Sequence, residues 1–75
     1  MADRPTGAQA RIVVNGEARE VPVGLAVADL LVQLGLRPGS VVVELRGEAL
    51  TPSETAAAHL ADGDVLEIVR AVAGG

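Results

Sequence analysis

The 75-residue chain carries few side chains equipped for chemistry. It has no cysteine, which removes disulfides, thiolate metal sites and thiol nucleophiles together. His59 is the single histidine, and a catalytic role there would need a Ser or Cys nucleophile held beside it. Nothing in the sequence indicates such a pairing, so a surface or half-buried filler is the expected role. Asp62 and Asp64 flank Gly63, but two carboxylates without further ligands do not make a calcium loop. A turn built on Asp-Gly is the ordinary reading. Glu44 and Glu48 lack a paired environment for acid–base work and read as a solvated face or a docking contact. No catalytic residue and no metal site is expected in this chain.

The remaining candidate is the end of the sequence, Ala73-Gly74-Gly75. Without a Cβ, Gly74 and Gly75 can enter a narrow channel and adopt φ values closed to other residues. Their carbonyls also stay open to a nucleophile from either side. Five residues follow Arg70; extended at about 3.3 Å each, they reach roughly 17 Å from a folded body. Val72 and Ala73 are small enough to follow the glycines into a channel. Glycines are also common at chain ends that do nothing, so these residues by themselves leave both readings open.

Ten acidic residues stand against six arginines and no lysine, a net charge of -4. That charge repels phosphate backbones, and the absence of Phe, Tyr and Trp removes stacking platforms. Direct nucleic-acid binding is not expected. A hydrophobic share of 49% is enough for one folded domain with an aliphatic core. No apolar run approaches the ~18 residues of a membrane span, and Met1 to Ala10 lacks the apolar stretch of a signal peptide. The missing disulfide staples point to the cytosol. A cytoplasmic protein without membrane contact is therefore expected, monomeric when alone.

The elements that must hold these residues can be read from period and punctuation. Ile12, Val13 and Val14 form a β-branched run that ends at Asn15-Gly16, the strongest short hairpin signal. The return strand is predicted over Ala18 to Pro22. Ala26 to Leu34 has helical period, with Val27, Leu30, Leu31 and Leu34 on one stripe. It lacks a side-chain N-cap and stops at Gly35. Ser40 to Arg46 is predicted as a strand, with Val41, Val43 and Leu45 on one face and Val42, Glu44 and Arg46 on the other. Gly47 turns the chain into a short Ala49-Leu50 strand, and Pro52-Ser53-Glu54 opens a helical turn ending near Leu60. Asp62-Gly63-Asp64 leads into the last strand, Val65 to Arg70. Leu66 and Ile68 should point inward there, and Val65, Glu67 and Val69 outward.

Four segments in this order resemble the ThiS family of thiamine-biosynthesis sulfur carriers. They are Ile12-Val13-Val14-Asn15-Gly16-Glu17, Val27-Ala28-Asp29-Leu30-Leu31, Leu60-Ala61-Asp62-Gly63-Asp64-Val65-Leu66-Glu67-Ile68-Val69, and the terminal Gly74-Gly75. The resemblance implies an α+β protein with the β-grasp, ubiquitin-like fold. Its mixed sheet of four or five strands would pair the first and last strands in parallel and carry one main helix and a short helical turn. Residues 1–9 would then be a flexible leader, 10–70 the domain and 71–75 a flexible functional tail.

The resemblance also implies a mechanism. A ThiF-like adenylating enzyme, using ATP and magnesium, would couple the Gly75 carboxylate to AMP. A sulfur donor, a cysteine desulfurase or a related protein, would displace AMP and leave a thiocarboxylate for thiazole synthase. Gly74, Ala73 and Val72 would thread the partner's channel. Val13, Val42 and Val69 would form an apolar docking patch on the open sheet face, with three isolated surface valines as the plain alternative. The carrier itself would be no enzyme and bind no cofactor, having no Gly-rich phosphate loop and no basic cluster.

Some residues depart from the family pattern. Arg46-Gly47-Glu48 stands where the thiamine carriers often have Asn before Gly-Glu, and the variant is similar to carriers that feed tRNA thiolation. No Thr or Ser stands near Ala26. The molybdopterin-synthase small subunit shares the fold and the Gly-Gly end, but usually has aromatic and proline residues where this chain has Val69-Arg70-Ala71-Val72. A ubiquitin-like modifier joined through Gly75 is a further alternative, although without lysine it cannot build chains on itself. A β-grasp module that only binds or regulates is the alternative outside the carrier class.

Overall fold

A computed structural model describes residues 8–71. Its elements run β1 (Gln9–Val14), β2 (Glu17–Pro22), α1 (Val27–Gln33), a 3-10 turn (Pro38–Ser40), β3 (Val41–Leu45), β4 (Glu48–Ala49), α2 (Pro52–Ala57) and β5 (Val65–Arg70). The strands form one sheet in the order β2-β1-β5-β3-β4. β1 and β5 are parallel neighbours at its centre, and every other pairing is antiparallel.

Both hairpins turn for the same reason. Asn15 and Gly16 have φ of 50° and 85°, and Arg46 and Gly47 have 52° and 83°. Two successive residues at positive φ are what a type I′ turn needs, because its twist matches that of the flanking strands. Each turn is followed by a glutamate that opens the return strand, Glu17 opposite Val14 and Glu48 opposite Leu45. Asn tolerates the left-handed region; Arg does so at a cost of about 1–2 kcal/mol, so Arg46 needs compensation from elsewhere.

The helix stripe packs as its period requires. Val27, Leu30 and Leu31 are fully buried and Leu34 is half-buried against them. Ile12, Val14, Val43, Leu45, Leu66 and Ile68 meet them from the inner sheet face, giving an aliphatic core. No side chain caps the start of α1. Instead the Val27 N–H donates to Ala58 C=O at 3.0 Å, so a distant loop satisfies one of the free donors of the first turn. The helix ends at Gly35, φ 75°, with Gly35 N–H to Val32 C=O and Leu36 N–H to Leu31 C=O, a Schellman motif.

Several boundaries differ from the sequence expectation. The second strand of the first hairpin starts at Glu17, because the two-residue turn leaves no slack. The strand expected over Ser40 to Arg46 is trimmed at both ends, Ser40 closing the 3-10 turn and Arg46 entering the left-handed turn. β4 is Glu48–Ala49 and α2 stops at Ala57. β1 begins at Gln9, and Ala8 C=O accepts from Val23 N–H at 3.2 Å, so the folded body starts before residue 10. Of the expected leader, residues 1–7 lie outside the described residues.

Candidate functional site

β5 is the strand that leads to the Gly-Gly end, and what holds it decides where the tail leaves. On the β3 side it is paired along its length, from Leu45 opposite Leu66 to Val41 opposite Arg70. One further bond, Ala71 N–H to Ser40 C=O at 2.9 Å, extends that hold past the strand. On the β1 side the pairing is short, covering Val13 with Val65 and Val14 with Leu66. Asn15 then takes over. Its backbone N–H donates to Leu66 C=O at 3.0 Å. Its side-chain Oδ1 accepts from Ile68 N–H at 2.7 Å, and its Nδ2 donates to Ile68 C=O at 3.2 Å. A primary amide presents the same acceptor and donor as a peptide unit, so Asn15 adds one more rung after β1 has turned away. Val72, Ala73, Gly74 and Gly75, the residues expected to thread and react, lie outside the described residues.

The valines expected on the open sheet face do point there, but as two separate pairs. Val42 and Val69 are direct cross-strand partners, 39% and 56% exposed. Val13 is half-buried and sits opposite Val65, which is 50% exposed. Val65 and Val69 are four residues apart on β5, so the register separates Val13 from the other two. Glu67 lies between them on the same face, directly opposite Glu44. Glu48 is exposed at the end of the β3–β4 turn.

The other candidates are occupied within the fold. His59 is exposed and its Nδ1–H donates to Gly24 C=O at 3.0 Å, tying the loop before β5 to the loop before α1. Asp62 Oδ1 accepts from Arg11 N–H at 2.7 Å. Asp64 is 5% exposed, and both its oxygens are bound: Arg46 Nε at 2.7 Å and Nη2 at 3.1 Å, with Ala61 N–H at 2.8 Å on Oδ2. The Arg46–Asp64 fork locks the β3–β4 turn to the start of β5 and offsets the left-handed backbone of Arg46. In the sequence Arg46 reads as an outward strand residue and a departure from the family pattern, and Asp64 as a turn residue within a family-like segment; nothing there pairs the two.

The β-grasp arrangement and the position of β5 are matched outside this molecule. The ThiS family model aligns with residues 12–75, which includes both terminal glycines. The chain belongs to the ThiS family.

A solved family structure shows the same fold. The crystal structure of the thiamine biosynthesis protein ThiS from Geobacter metallireducens is 34% identical, with a TM-score of 0.74 over 87% of this chain and 99% of that one. A curated relative, thiazole synthase of Paramagnetospirillum magneticum, is 38% identical over 65 residues, 87% of this chain. The chain spans a fifth of that protein's length. The family's β-grasp fold is thus present here, with a five-stranded mixed sheet, α1 as the main helix, and a short second helix.

Proposed function

We propose that this ThiS-family chain is a sulfur carrier, adenylated and then thiocarboxylated at Gly75, that supplies sulfur for thiazole formation in thiamine biosynthesis. The observation that carries the reading is a family match that runs through Gly74-Gly75 itself, beyond a central strand held on both sides as far as Ile68. The carboxylate is a poor electrophile. In a ThiF-like enzyme it would attack the α-phosphorus of magnesium-bound ATP and release pyrophosphate. The terminal sulfur of a persulfide on a cysteine desulfurase or related donor would then add to the acyl carbon and expel AMP, and a thiol reductant would cleave the resulting acyl disulfide to leave the thiocarboxylate.

The carrier contributes position to these steps. Glycine at 74 and 75 leaves the acyl group approachable and the channel wall close. The Val42–Val69 pair and, beyond Glu67, the Val13–Val65 pair would offer the adenylating enzyme apolar surface along the strand that delivers the tail. Thiazole synthase is the favoured recipient, because a segment similar to this chain makes up a fifth of a protein of that name.

Intact mass of the protein from its native cells tests the reading. A fraction heavier by about 16 Da, oxygen exchanged for sulfur, is expected, and it should vanish when Gly74 and Gly75 are removed. A growth requirement for thiamine that the truncated chain still relieves would sink it.

A further inference from the structure

The outward sheet face carries one pairing that works against the free protein. β3 and β5 set Glu44 directly opposite Glu67, both exposed. Opposed residues have Cβ atoms roughly 5 Å apart, and like charges at that spacing destabilise a sheet. Elsewhere on the same face the opposite choice is made, with Arg11 facing Glu20 across β1 and β2. Among the described residues neither glutamate is in an ion pair. The one ion pair among the described residues is Arg46–Asp64, to which Arg46 gives Nε and Nη2. The glutamate pair also has a definite setting: Val42 and Val69 lie on one side along the strands, and on the other lies Val65, opposite Arg46 on β3 and Val13 on β1. An acidic pair with valines on both sides along the strands departs from the usual solvated pattern, in which isolated valines sit among mixed charges.

We infer that the adenylating enzyme that docks on this face presents an arginine, whose guanidinium sits between Glu44 and Glu67 while apolar side chains around it meet the valines. The inference rests on the carrier reading above and adds the chemistry of the partner's contact. A guanidinium is planar and can give a pair of hydrogen bonds to each of two carboxylates, which a single ammonium matches poorly. Closing apolar contacts around the pair would remove water and strengthen the attraction. The repulsion kept in the free carrier is then released on binding, so the partner gains both the relief and the new bonds.

The inference sets stability and binding in opposite directions, and this is what tests it. Glu44→Gln, Glu67→Gln and the double variant should melt at or above the temperature of the parent. Each should bind the purified adenylating enzyme more weakly, the double variant by at least about tenfold near 0.1 M salt, with a flatter dependence of Kd on salt. An unchanged Kd in the double variant overturns the inference, and so does weaker binding that merely follows a lower melting temperature. Val69→Asp is run beside them. If it abolishes binding while the glutamine variants bind normally, the valine surface stands and the arginine contact falls. If neither affects binding, the docking face is elsewhere and both fall.

Discussion

The side-chain amide of Asn15 and the backbone of Ile68, 53 residues apart, exchange two hydrogen bonds that continue the β1–β5 ladder beyond the end of β1. One residue thus turns the first hairpin and holds the strand that leads to Gly74-Gly75. The two jobs separate by substitution. Asn15→Gly keeps the positive φ that the turn needs but removes the amide, and should cost about 1–3 kcal/mol. For a domain of this size each kcal/mol lowers Tm by roughly 4–8 °C. Amide exchange at Ile68 should accelerate more than at Glu44, whose backbone faces β5 from the other side in the alternation set by the Arg46–Val65 and Ala71–Ser40 bonds. Equal acceleration at both would show that Asn15 acts on the whole fold.

The Arg46–Asp64 fork predicts a ranked series. Arg46→Ala loses the fork and leaves a Cβ in the left-handed region; Arg46→Gly loses only the fork. The glycine variant should therefore be the more stable of the two by about 1 kcal/mol. Asp64→Ala should destabilise by about 1–3 kcal/mol, since Ala61 N–H loses its acceptor as well. Denaturant melts of the three variants give the ranking, and an alanine variant equal to the glycine variant would contradict it.

Helix α2 supports the fold from the side of α1 and the 3-10 turn. Thr51 Oγ1 accepts from Glu54 N–H at 3.1 Å, and Glu54 Oε1 accepts from Thr51 N–H at 2.9 Å, a complete capping box. Thr51→Ala should lower stability by about 1 kcal/mol. Adenylation measured well below Tm should be unchanged, because α2 packs on α1 and the 3-10 turn, away from the outward sheet face.

Two equally drastic surface changes should differ in effect. Val69→Asp places a carboxylate within the valine and glutamate face and should abolish adenylation with little change in Tm. Val32 is more exposed, at 67%, but lies on α1, and Val32→Asp should leave adenylation intact. Loss of activity in both variants would show that the helix side is also covered by the enzyme.

Much of this was legible in the sequence because it is local. Asn15-Gly16 announces a hairpin, Gly35 stops a helix, and alternation along β3 and β5 assigns inward and outward residues correctly. Less local features were not legible. The register that pairs Val13 with Val65, and so parts it from Val69, depends on how β1 and β5 slide past each other, which no period of either strand encodes. The Arg46–Asp64 fork joins residues 18 apart, and its signal was only an arginine standing before Gly-Glu. The Thr51-Pro52-Ser53-Glu54 spacing did carry a capping-box signature, which the reading of Pro52 as a helix start passed over.

The bond from Ala71 to Ser40 sets a depth limit. Gly75 stands four residues after Ala71, and four residues at full stretch cover about 13 Å. If Gly75 is the reacting residue proposed above, a catalytic centre that sits farther than this beneath its enzyme's rim would first have to unzip Ala71 from the 3-10 turn. On the proposed function, the turn at Pro38–Ser40 would act as a collar on insertion, admitting enzymes with shallow wells freely and charging deeper ones a hydrogen bond.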